Sequence, residues 1–229
     1  MKCPICGHEL NQDNQYRCSR FPICRYVGNN SDTSGDDVFV LFDIETTGVN
    51  RQKDRITEIG AIKVKEGKII DEFSMLVNPG KDESGNQIFI SSRITELTGI
   101  TNDMVKDKKP ESEAVKEFID WLGDVDTLAG QNVEKFDIPF MKAAAKRAGI
   151  KLECSKVMDT LIYARRMKLK ARGLIENEQQ STLAAYYGFS YNAHRALDDV
   201  KACFKILNFM KKDGIKYGIN VRPEPCKRS

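Results

Sequence analysis

Asp43 and Glu45 stand two residues apart, just after an apolar run from Val38 to Phe42. Such a run, with Asp and Gly near both of its ends, predicts a strand buried on both faces. Residues i and i+2 of a strand share a face, so the two carboxylates project together from its end. Side by side they repel, and burial makes the repulsion worse. A divalent cation relieves it, because hard oxygen ligands suit Mg²⁺ or Mn²⁺. The pair decides nothing alone: the chain has 33 acids, and Asp124/Asp126 and Glu176/Glu178 share the spacing, which fits a surface pair equally well. Further candidates come later, with Asp137 behind Asn132 and Phe136, and His194 ahead of Asp199. Only two histidines exist, and His194 is the one outside the cysteine-rich N-terminal segment. On one helix His194 and Asp199 would lie about 140° apart. To cooperate, His194 must stand in the loop entering the helix and Asp199 on its first turns. A capping or surface histidine is the plainer alternative.

A second cluster is made of thiols. Of 7 cysteines, Cys3, Cys6, Cys18 and Cys24 fall within residues 1–30. Paired cysteines across a short hairpin suit one tetrahedral, structural Zn²⁺ held by four thiolates. A segment of ~30 residues cannot build a sufficient core without such a staple. Two disulfides, a redox C-x-x-C and a rubredoxin-like iron site are the alternatives; the redox reading lacks a βαβ context. Cys154, Cys203 and Cys226 are scattered, as reduced thiols are. No apolar run approaches the ~20 residues of a membrane span. Cys3 and Cys6 already belong to structure, so no signal peptide is expected and a cytoplasmic setting is. The net charge is only +3, so a nucleic-acid footprint must be local.

The elements that must position these residues follow from periodicity. The 229 residues suit one ordinary domain with a small appendage. We read 1–30 as the ribbon, 31–37 as a polar linker, 38–212 as the main domain and 213–229 as a basic tail, either disordered or docking a partner. Ile56 to Val64 and Ile69 to Val77 predict a hairpin around the Glu66-Gly67 turn. Ile94–Leu97 and Asn102–Val105 predict short helices, and Glu111–Leu122 a longer one behind Pro110. Thr127–Ala129 reads as a strand, Asn132 as the N-cap of the helix that follows, and Met158 to Lys170 as a basic helix. A last helix runs to Lys212. Strands first, then alternating helix and strand, predict an α/β domain with a mixed sheet.

Two resemblances add to this. Cys3-Pro-Ile-Cys6-Gly7 with Cys18-Ser-Arg20-Phe21-Pro22-Ile-Cys24 resembles the zinc ribbons at the C-terminus of bacterial type I topoisomerases, which bind single-stranded DNA. Arg17, Arg20 and Arg25 suit phosphates, and Phe21 and Tyr26 suit base stacking or a cover for the zinc site. A Zn²⁺ tetrathiolate leaves the segment about neutral, so protein docking or a purely structural role fits equally. Asp43-Ile-Glu45-Thr46-Thr47-Gly48, Asn132-x-x-x-Phe136-Asp137 and His194-Arg-Ala-Leu-Asp-Asp199 resemble, in order, the three motifs of the DEDDh (DnaQ-like) 3′→5′ exonucleases.

The second resemblance implies a ribonuclease H-like, mixed five-stranded sheet flanked by helices. It implies phosphodiester hydrolysis with two Mg²⁺ or Mn²⁺ ions. Asp43 would bridge them, Glu45 and Asp199 complete one site, Asp137 hold the other, and His194 take the proton from water. Thr46, Thr47, Gly48 and Phe136 would hold the terminal nucleotide. The expected partners are 3′ ends of single-stranded DNA or RNA, with a DNA polymerase as a further candidate and no membrane. Release of nucleoside monophosphates from DNA, in proofreading or repair, leads; RNA trimming and a non-catalytic polymerase-docking module are the alternatives. The motifs do not separate DNA from RNA, since that rests on contacts around the 2′-OH.

Overall fold

A computed structural model describes residues 38–82 and 84–227. The ribbon with Cys3, Cys6, Cys18 and Cys24, and the linker, lie outside the described residues.

Strands β1 (Phe39–Thr46), β2 (Ile56–Lys65), β3 (Lys68–Leu76), β4 (Thr127–Gly130), β5 (Lys156–Asp159) and β6 (Glu224–Pro225) form one sheet in the order β3-β2-β1-β4-β5-β6. β1 pairs antiparallel with β2 and parallel with β4. The expected mixed, ribonuclease H-like architecture is present, with one more strand than the five expected. The helices are α1 (Ser92–Thr98), α2 (Asn102–Val105), α3 (Glu111–Leu122), α4 (Asp137–Arg147), α5 (Thr160–Arg166), α6 (Gln180–Tyr186) and α7 (Ala196–Tyr217). None of the described helices is long and apolar enough to cross a membrane.

Alternation along β1 makes this a three-layer domain. Val40, Phe42 and Ile44 pack against α3 and α4, with Phe42 and Phe118 ring centroids 5.6 Å apart. Phe39 and Leu41 pack against α5, α6 and α7. Each such side chain, fully buried, is worth about 1.5–3 kcal/mol. The same alternation sends Asp43 and Glu45 to the α7 side. There β2 and α7 approach so closely that a Cβ on Gly60 would lie 2.4 Å from the Ala196 backbone. Only a glycine admits that contact.

Three expectations change. Asn132 is no N-cap: it sits at φ +58°, and α4 begins at Asp137, with Pro139 in the first turn, where backbone N–H groups have no helical partner anyway. Met158 to Lys170 is not one helix. Val157 and Met158 are buried in β5, and Asp159 ends the strand and caps α5, which stops at Arg166. Two cations of this run are paired, Arg165 with Glu178 and Arg166 with Glu224.

Residues 213–227 of the expected 213–229 tail do not form a separate tail either. α7 continues to Tyr217 and closes at Gly218 in the left-handed region, φ +70°. The chain then folds back. Ile219 N–H donates to the Gly214 carbonyl at 2.7 Å, Val221 is buried, and Tyr163 Oη donates to the Arg222 carbonyl at 2.6 Å. Glu224–Pro225 pairs antiparallel with β5.

Candidate active site

The C-terminal end of β1 delivers Asp43, the Ile44 backbone and Glu45 to a cleft of about 240 Å³. Gln131, Asn132, Phe136 and Asp137 reach it from the turn after β4, Gln180 from α6, and His194 and Asp199 from the entry of α7. All four motif acids and the histidine therefore meet in one place. Single carboxylate oxygens of Asp43, Glu45 and Asp199 lie within 4.8 Å of one another.

Each acid is held by local structure. Asp137 is the first residue of α4, and its Oδ1 accepts the Ile44 N–H at 3.2 Å, tying helix to strand. The turn before it hangs on Asp159, whose carboxylate accepts the N–H groups of Asn132 at 3.0 Å, Glu134 at 3.2 Å and Leu161 at 2.9 Å. His194 lies in the loop before α7 at φ +70°, and Asp199 in the helix's first turn. The His194 N–H donates to Asp199 Oδ2 at 2.8 Å, closing that loop. Glu58 on β2, only 1% exposed, anchors the same loop. Its Oε1 accepts Arg195 Nη2 at 2.9 Å and Nε at 3.2 Å, and its Oε2 accepts the Ala196 N–H at 3.1 Å. An anion there also suits the positive end of α7.

The electrostatics are those of acids crowded without a counter-charge. Burial first, then the carboxylates of Asp137, Glu45, Asp199 and Glu58, push Asp43 well above the usual range. Glu45 is pushed up to about 7 by burial, then by Asp199 and Glu58. Burial also raises Asp137, against the pull of the Ile44 N–H and its own. It raises Asp199 too, against hydrogen bonds from Tyr191 and the His194 N–H. No lysine or arginine is among the described residues lining the cleft. A site that gathers hard oxygen ligands and excludes cationic side chains is chemically fit for a divalent cation.

The family pattern of an exonuclease, RNase_T, matches residues 40–207. The chain belongs to that exonuclease family. Its members include the DEDDh (DnaQ-like) 3′→5′ exonucleases whose motifs it carries, and the chain is accordingly an exonuclease domain. It is 38% identical over 195 residues to the PolC-type DNA polymerase III of Caldanaerobacter subterraneus subsp. tengcongensis, covering 83% of this chain and 13% of the polymerase. The PolC-type polymerase of Clostridium perfringens is 37% identical over 187 residues, covering 81% of this chain and 12% of that one. The chain thus spans only about an eighth of these relatives. Among solved structures, E. coli exonuclease I bound to a 5cy-dT13 oligonucleotide superposes with a TM-score of 0.68 at 18% identity, over 80% of this chain and 42% of that one. Exonuclease I of Methylocaldum szegediense gives 0.65 at 19% identity, over 79% and 41%. These two likenesses speak to the fold.

Within this exonuclease the four residues expected to hold the terminal nucleotide divide. Phe136 lines the cleft while its ring packs 5.8 Å from that of Phe140, so it serves core and cleft together. Thr46, Thr47 and Gly48 are not among the lining residues. Thr46 Oγ1 donates to the Gly48 carbonyl at 2.6 Å, and Thr47 Oγ1 donates to Asp54 at 3.2 Å. A Cβ on Gly48 would lie 2.5 Å from the Asp54 carboxylate. The two threonine side chains, and the room left by the missing Cβ of Gly48, build the turn after β1. The motif reading missed Glu58, Asp159, Gln180 and Tyr191. Asp159-Thr160 carried a signal as an N-cap after an apolar pair; a lone glutamine or tyrosine carries none.

Proposed function

We propose that the chain is a metal-dependent 3′→5′ exonuclease releasing nucleoside monophosphates from single-stranded DNA ends, in proofreading or repair beside a DNA polymerase. The convergence of Asp43, Glu45, Asp137, Asp199 and His194 on one cleft carries the reading. The PolC-type relatives and the oligonucleotide bound by E. coli exonuclease I favour DNA over RNA.

Asp43, Glu45, Asp137 and Asp199 would hold two Mg²⁺ or Mn²⁺ ions, which when bound supply charge stabilisation for the transition state and a more acidic attacking water. His194, exposed beside Asp199, takes the proton from that water. Phe136 stacks on the terminal nucleotide, and the backbone of Thr46, Thr47 and Gly48 borders its sugar. The N-terminal segment binds one structural Zn²⁺ through Cys3, Cys6, Cys18 and Cys24 and grips incoming single strand.

End-labelled DNA and RNA, single- and double-stranded, test this. Shortening of single-stranded DNA from its 3′ end in Mg²⁺ or Mn²⁺ is expected, and Asp43→Ala abolishes it while DNA binding survives. No degradation by the wild type refutes the enzyme reading, and faster loss of RNA transfers it to RNA trimming. The chain shortened to begin at Asp36 tests the ribbon: unchanged binding and rate remove its role in gripping DNA.

A further inference from the structure

Asp199 brings to the cleft a carboxylate that is already largely in use. Its Oδ1 accepts Tyr191 Oη at 2.9 Å and Gln180 Nε2 at 3.1 Å. Its Oδ2 accepts the His194 N–H at 2.8 Å. Gln180 Nε2 also lies 2.9 Å from Tyr191 Oη and 2.9 Å from the Asp199 carbonyl, so the two donors brace each other. A carboxylate oxygen offers two lone pairs. Oδ1 takes the Tyr191 hydrogen and at most shares one of the two Gln180 hydrogens, which also face Tyr191 Oη and the Asp199 carbonyl. Two donors thus crowd Oδ1, while Oδ2 accepts a single backbone N–H.

The consequence is a restriction on ligation. A carboxylate binds a cation through both oxygens only when each has a free lone pair facing it. Ca²⁺ takes six to eight oxygens in flexible geometry and readily accepts such bidentate carboxylates, whereas Mg²⁺ demands a near-ideal octahedron. We propose that Tyr191 and Gln180 are positioning residues that occupy Asp199 Oδ1, so that Asp199 presents Oδ2 alone to the cation, and that this favours a small octahedral ion such as Mg²⁺ or Mn²⁺ over Ca²⁺. The proposal rests on the metal-site reading above. It concerns two residues outside the three motifs, one on α6 and one in the loop before α7.

A merely structural role, joining α6 to α7, would weaken every ion alike. The discriminating quantity is the ratio of affinities. Mn²⁺ binding to the full chain, followed by electron paramagnetic resonance without nucleic acid and with Ca²⁺ as competitor, is compared among wild type, Tyr191→Phe, Gln180→Leu and Asp199→Asn. Thermal unfolding in EDTA accompanies it. Tyr191→Phe and Gln180→Leu are each expected to weaken Mn²⁺ by roughly tenfold, as loss of a residue supporting a ligand typically does. Ca²⁺ affinity holds or rises, so the preference for Mn²⁺ narrows. Equal losses for both ions, or no loss, overturn the proposal while Asp199→Asn still weakens Mn²⁺. If Asp199→Asn leaves Mn²⁺ binding intact, the metal-site reading itself falls and takes the proposal with it. If unfolding in EDTA shows that Tyr191→Phe has lost its fold, Gln180→Leu decides by the same ratio.

Discussion

Replacing Glu45 with glutamine is expected to stabilise the metal-free protein above neutral pH while removing a ligand from the site. Glu45 is pushed from an ordinary 4.5 up to about 7, first by burial and then by Asp199 and Glu58. A raised carboxyl pKa means that the folded protein keeps a proton the unfolded chain has released. Below the unfolded value both states are protonated and stability is complete. It drains as pH rises from 4.5 to about 7 and is lost above that. At about 1.4 kcal/mol per pH unit, the loss from Glu45 comes to about 3 kcal/mol, and to nearer 2 once residual solvent screening is allowed for. Glutamine keeps the shape and cannot ionise. Urea unfolding in EDTA, at about pH 5 and about pH 8, measures the effect. The wild type should lose about 2–3 kcal/mol more than Glu45→Gln between the two pH values. Saturating Mg²⁺ reverses the order at the higher pH, because an ion that binds only the folded wild type stabilises it. If Glu45→Gln is no more stable than wild type in EDTA at the higher pH, the carboxylates are not crowded as described.

Two further outcomes test other parts of the site. Gly60→Ala places a Cβ 2.4 Å from the Ala196 backbone and must displace the start of α7. A destabilisation of about 1–3 kcal/mol, read from thermal unfolding, is expected, and an unchanged melting temperature would show that the joint between β2 and α7 is looser than it looks. His194→Gln is expected to lower kcat by roughly 10²- to 10⁴-fold, the usual worth of a positioned base, with Mn²⁺ affinity kept. A wild-type rate in that variant assigns the proton to another group.

Local pattern carried much of this protein. α3 was legible to the residue because Val115, Phe118 and Leu122 share one buried stripe behind Pro110. The acids of the cleft were legible as residue types at spacings that match a family, and helical geometry put His194 before α7 on the condition that it acts with Asp199. The strand β5 was not legible, because four residues ending in Asp159, with Thr160 next, look like a helix start until β4 lies beside them. Nor was β6, which is a strand only because β5 offers an edge to Glu224 and Pro225.

By itself, the sequence determined which groups exist to do chemistry, their order, and the face of β1 from which Asp43 and Glu45 emerge, since a strand's alternation is a property of its own backbone. Tertiary structure alone decided that these groups meet. Asp137 reaches Ile44 across 93 residues, and Glu58 reaches Arg195 across 137. Folding alone also showed that Asp199 arrives with one oxygen committed to Gln180 and Tyr191. Hydrogen bonds between residues far apart in the chain depend on how helices and sheet pack, and no local pattern encodes that.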